Sequence, residues 1–138
     1  MDNQIMILVL PIILLAFVIA VFFLIKPKKS AWKAKALQNL NELENRIRSG
    51  DSLHMKSALV DADKLLDFVM KSRGLRGETM GDRLKNAVKY FERTQYNRIW
   101  EAHKLRNRLV HEIDSNFNEN YIKTAFSDLK SAIRKLAS

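Results

Sequence analysis

The chain contains no cysteine, which excludes a disulfide framework, a thiolate nucleophile and any Cys-ligated zinc or iron–sulfur centre. Glycine is scarce, at four residues, and proline scarcer, at two. So few turn formers exclude a disordered linker protein and an all-β fold cut by frequent turns. No stretch alternates apolar and polar residues for long enough to argue a strand. Acid is in short supply against base, 15 residues against 24, for a formal charge of +9. That excess points to an anionic partner, whether a membrane surface, nucleic acid or an acidic protein.

What the chain does have is a long apolar run. "IMILVLPIILLAFVIAVFFLI", Ile5 to Ile25, holds 21 residues without a charge. As a helix it would reach about 31 Å, close to the hydrocarbon thickness of a bilayer. A cleaved signal peptide would want a basic start, a shorter run and a small-x-small cleavage site. Here Asp2 precedes the run and "KPKK" follows it, so a retained transmembrane anchor over 5–25 is the expectation. Pro11 is tolerated there as a kink. Lys26, Lys28, Lys29, Lys33 and Lys35 all follow the span and no basic residue precedes it. By the positive-inside rule the N-terminus is outside the cell membrane and the rest of the single-pass chain is cytoplasmic, with the flanking lysines meeting anionic lipid and Trp32 at the headgroup level. From Ser30 to Ser138 the charge is still +7.

Beyond the anchor, apolar residues recur at three and four. Ala36, Leu40, Leu43 and Ile47 form one stripe, with Ser30 as its cap and Gly50 just past its end. Met55, Leu59, Ala62, Leu66 and Val69 form a second, closed by Gly74. "GLRGETMGDR" is the one clear loop. Thr79 and Asp82 then resemble a capping box, opening a short helix through Leu84, Ala87, Val88 and Phe91. A fourth helix runs from about Gln95 to Glu112, and a fifth carries Ile122, Ala125, Phe126, Leu129, Ile133 and Leu136. The expected fold is all-α: an N-terminal membrane helix, then an antiparallel bundle of about five helices with short connections.

Two of the three histidines fall in "AHKLRNRLVHE", Ala102 to Glu112. On a helix Ile99, Ala102, Leu105, Leu109 and Ile113 share the core arc, while Tyr96, Trp100, His103, Asn107 and His111 share a neighbouring face. Arg106 points toward the core arc. A guanidinium there needs a carboxylate or a phosphate, and Asp61, Asp63 and Glu78 are the internal acids that could supply the former. Lys104 belongs to the solvated arc. Tyr96 and Trp100 read as packing, or, if exposed, as a platform for stacked bases.

"RNRLVH", Arg106 to His111, resembles the motif of the HEPN superfamily: Arg, a polar residue, then His after four to six intervening positions. The resemblance covers Ser52 to Leu136. The anchor and first helix lie outside it, so the expected organisation is 1–29 as anchor and basic flank, 30–50 as a juxtamembrane helix, and 51–138 as a HEPN-like bundle. The resemblance implies a metal-independent endoribonuclease working at a homodimer cleft, or a non-catalytic relative that binds a nucleotide or a protein partner. In the catalytic case His111 would move a proton as a ribose 2′-OH attacks the adjacent phosphodiester. Arg106 would steady the phosphate charge and Asn107 would orient the two. These residue types suit that chemistry. His103 is extra to the motif, as a second proton-transfer group or a structural residue. Arg106 and His111 diverge by about 140° on a regular helix, so a cleft would draw them from different protomers or need a bend.

No cofactor or metal is expected. Asp61 and Asp63, two apart on a helix, point to different sides and make a poor metal site. "GLRGETMG" fits neither phosphate-loop nor dinucleotide spacing.

Overall fold

In the computed structural model, periodicity at three and four becomes helix throughout. It describes residues 3–24, 31–111 and 117–138, and in the first helix the side chains of 9–21. Among the described residues there are six α-helices and no strand: α1 (Asn3–Leu24), α2 (Ala31–Arg48), α3 (Ser52–Ser72), α4 (Met80–Asn86), α5 (Arg93–His111) and α6 (Glu119–Ala137). A three-residue 3-10 turn, Val88–Tyr90, lies between α4 and α5. The chain divides into two units, Met1–Ala31 and Trp32–Ser138.

The first unit is α1, with Pro11 inside it. Its side chains from 9 to 20 are exposed, Leu10, Ile12, Ile13, Leu14 and Phe17 among them, and Val21 is half-buried. No helix among the described residues is long and apolar enough to cross a membrane. The 13 side chains described here, 9–21, amount to about 20 Å of helix, short of the roughly 30 Å a span requires. The ends of the expected span and the lysines at 26, 28 and 29 lie outside the described residues, as does the expected cap Ser30.

The second unit is a helical bundle. α3 and α6 pair closely, α5 packs on both, and α4 packs on α3. Arg98 of α5 meets Asp128 and Gln95 meets Ser131, so α5 and α6 run antiparallel. Arg73, just past α3, donates to the Leu136 carbonyl near the end of α6, which places these two C-termini at one end of the bundle. α2 packs Ala36, Leu40 and Leu43 into the same core as the later helices. It is tied to α6 through Glu44, which accepts from Lys130 at 2.7 Å and Arg134 at 3.2 Å. The Lys130 hydrogen bond outweighs the cost of burial and, with the charges of Arg134 and Arg48, holds the Glu44 carboxyl below its ordinary range. Leu59, Leu66, Met70, Leu105, Leu129 and Ile133 are fully buried; each such side chain contributes about 1.5–3 kcal/mol by leaving water.

The Thr79–Asp82 capping box is present in both directions and opens α4. The helix expected to continue through Phe91 does not. After Asn86 the backbone tightens, with Tyr90 N–H bonded to the Ala87 carbonyl and Phe91 N–H to that of Val88. A 3-10 turn advances about 120° per residue instead of 100°, so Leu84, Ala87 and Phe91 remain buried while Val88 rotates out to 53% exposure. The fourth expected helix matches α5, although its last residue, Glu112, and the core position Ile113 lie outside the described residues.

Candidate functional site

The site is built on one buried acid. Asp63 sits mid-way along α3 among Ala62, Leu66 and Leu59 and is 3% exposed. A carboxylate so placed needs partners, since burying an unpaired charge is costly. Asp61, two residues earlier, faces the other way and pairs with Arg46 of α2 at 2.9 Å, as the period of the helix requires.

Asp63 takes its partners from α5. His103 Nδ1 lies 2.9 Å from Asp63 Oδ1, and Arg106 Nε lies 3.5 Å from Asp63 Oδ2. The circuit then closes through the neighbouring amide: Arg106 Nη1 donates to Asn107 Oδ1 at 2.9 Å, and Asn107 Nδ2 lies 3.4 Å from His103 Nε2. These contacts assign the imidazole. The Asn107 oxygen already accepts from a guanidinium, so its nitrogen is the group facing Nε2, and Nε2 must accept. The ring proton of neutral His103 therefore sits on Nδ1 and is donated to Asp63. Both ring nitrogens are engaged inside the chain.

Arg106 is held less completely. Its side chain is 24% exposed, and its buried Nε has no hydrogen-bond acceptor, because the 3.5 Å approach to Asp63 is an ion-pair distance without hydrogen-bond alignment. Trp100 packs edge-on against His103, with centroids 5.8 Å apart, and Tyr96 packs edge-on against Trp100 at 6.3 Å. Both aromatics are half-buried against the core. They back the imidazole and do not form an open stacking platform.

The structure thus brings together His103, Arg106, Asn107, Trp100 and Tyr96, and leaves two expected residues apart. Lys104 is exposed and pairs with Glu101 at 2.8 Å. His111 is exposed in the last turn of α5, and no hydrogen bond or ion pair among the described residues joins it to Arg106. Among the described residues no cluster of His, Asp and Glu could hold a metal ion.

Sequence reasoning missed Arg83, which is 5% exposed. It donates from Nε and Nη2 to Asp67 of α3, at 2.5 and 3.1 Å, and from Nη1 to the Gly77 carbonyl. Burial raises the Asp67 carboxyl, but hydrogen bonds from Arg83 and Lys71 more than offset this and hold it below its ordinary range. The available signal was the spacing of Asp67, four residues after Asp63 and so on the same side of α3.

Compared with models of known families, with curated proteins and with solved structures, the chain matches none.

Proposed function

We propose that the chain is a membrane-anchored helical module of the HEPN type that works by binding a protein partner or a nucleotide, not by cutting RNA. The observation that carries this reading is the Asp63 circuit. The cation that a phosphodiester would need is already opposed by a carboxylate of its own chain, 3.5 Å away. The imidazole beside it spends both nitrogens on Asp63 and Asn107. His111, the motif residue assigned to proton transfer, stands exposed at the helix end. The anchor is supported by the uncharged 21-residue run and by the exposure of its described apolar side chains, which only an apolar surrounding would satisfy. The basic residues that follow the run favour a cytoplasmic bundle.

The test uses the full chain in maltoside micelles, given single-stranded RNA with EDTA present. No product ending in 2′,3′-cyclic phosphate is expected. Cleavage that disappears in His111→Ala would overturn the binding reading. Alkaline extraction of membranes should leave the chain in the pellet; release into the supernatant would remove the anchor.

One observation favours the second reading, an endoribonuclease at a homodimer cleft. Arg106 keeps an unaccepted Nε–H and a quarter of its side chain in reach of solvent. An approaching phosphate could complete its hydrogen bonding, with His111 supplied by the partner protomer.

A further inference from the structure

We propose that the end of the bundle where α3 and α6 terminate carries a binding site for a phosphate group, formed by Arg73, Arg76 and Lys89 around Tyr90. The cleft there has a volume of about 340 Å³ and no Asp or Glu in its lining. Where other cations of the bundle cluster, they share a carboxylate: Arg46 and Lys64 share Asp61, Lys71 and Arg83 share Asp67, and Lys130 and Arg134 share Glu44. Among the described residues no carboxylate pairs with Arg73, Arg76 or Lys89. The larger cleft between α2 and α3 shows the contrast, since Asp61 and Glu42 line it beside Lys35, Arg46 and Lys64.

The site is held in place before any ligand arrives. Arg73 lies 4.9 Å from the Tyr90 ring centroid and Lys89 lies 5.3 Å from it. One aromatic face system thus gathers two like charges, which repel each other until an anion sits between them. The loop that projects Arg76 is pinned twice, by Asn86 Nδ2 donating to the Arg76 carbonyl at 2.8 Å and by Arg83 donating to that of Gly77. Gly77 is needed at that spot: its φ is +150°, and a Cβ would stand 2.6 Å from the Arg83 nitrogen. Nothing among the described residues pairs with the Arg76 guanidinium itself.

The ends of two helices place negative carbonyls nearby, and these are already answered. Val69, Met70 and Lys71 carbonyls accept from the N–H groups of Arg73, Leu75 and Gly74, and the Leu136 carbonyl accepts from Arg73 Nη1. The remaining guanidinium and ammonium donors are free to meet phosphate oxygens, for which forked guanidinium geometry is well suited. This site is distinct from the Asp63 circuit and does not depend on how that circuit works.

The phosphate could belong to a soluble compound or to a lipid headgroup, and two titrations of the ¹⁵N-labelled full chain in maltoside micelles separate them. One adds inorganic phosphate at constant ionic strength against chloride. The other dopes the micelles with phosphatidic acid. Saturable shifts of the Arg73, Gly74, Arg76, Lys89 and Tyr90 amides are expected in at least one titration, and R76Q/K89Q should weaken the response by about tenfold or more. Saturation with phosphate alone assigns a soluble phosphate compound; saturation in doped micelles alone assigns a headgroup. K35Q/K56Q, which removes as much charge elsewhere, should respond as the unmodified chain does. Absence of saturation in both titrations, or an unchanged response in R76Q/K89Q, overturns the proposal. Should that double variant lose helicity, R76E alone carries the same comparison.

Discussion

Arg83 and Arg106 both reach α3, the first at Asp67 and the second at Asp63, one helical turn apart. Arg83 is 5% exposed and places Nε, Nη1 and Nη2 each on an oxygen. Arg106 is 24% exposed, stands 3.5 Å from its acid and leaves Nε without an acceptor. The first pair is buried with every guanidinium nitrogen engaged, so it holds the fold together. The second retains hydrogen-bonding capacity beside a half-open surface, so it holds α5 on α3 while keeping donors for something else. The same residue type facing acids of the same helix therefore serves two ends, and the geometry of the acceptors decides which.

The strongest way to break this comparison is Arg83→Ala. It leaves Asp67 to Lys71 alone and frees the Gly77 loop, and unfolding followed by helical circular dichroism should show a loss of about 3 kcal/mol, the lower end for breaking a buried pair. His103→Ala comes next. It removes the 2.9 Å partner of a buried carboxylate and should cost about 2–3 kcal/mol. Arg106→Ala should cost about 1 kcal/mol, because His103 still serves Asp63 and the lost contact was poorly aligned. A loss as large as that of Arg83→Ala would erase the distinction drawn between the two arginines.

The smallest effect is in acid. The Asp67 carboxyl is held below its ordinary range in the fold, so its contribution is complete above the unfolded value and is lost as pH falls through the folded one. Stability should therefore decline below about pH 4. Asp67→Asn, which has no charge to lose, should flatten that part of the decline in a pH series of melts.

Much of the bundle was legible because helices advertise themselves by spacing. The stripes through Leu40, Leu59, Leu105 and Leu129 face the core, with Ile47 and Leu109 only partly buried at their ends, and the Thr79–Asp82 box works in both directions. The opposite facings of Asp61 and Asp63 also follow from two positions on a helix. What spacing cannot supply is the choice among acids for Arg106: Asp61, Asp63 and Glu78 were equal in the sequence, and only the docking of α5 against α3 selects Asp63. Arg83 was invisible for a related reason. α4 has seven residues, too few for a stripe to reveal which face is buried. Val88 was misplaced because the apolar pattern says nothing about where 100° per residue gives way to 120°.

A carboxylate set among leucines and answered from one neighbouring helix acts as an alignment key. His103 and Arg106 are themselves about one turn apart, so sliding α5 by a turn, about 5.4 Å, would leave Asp63 at most one of its two partners, with Ile99 or Leu109 near the place of the other. Greasy surfaces alone tolerate such shuffling, since one leucine replaces another. Here a shifted arrangement leaves a buried negative charge short of a partner, and so the two helices favour one position.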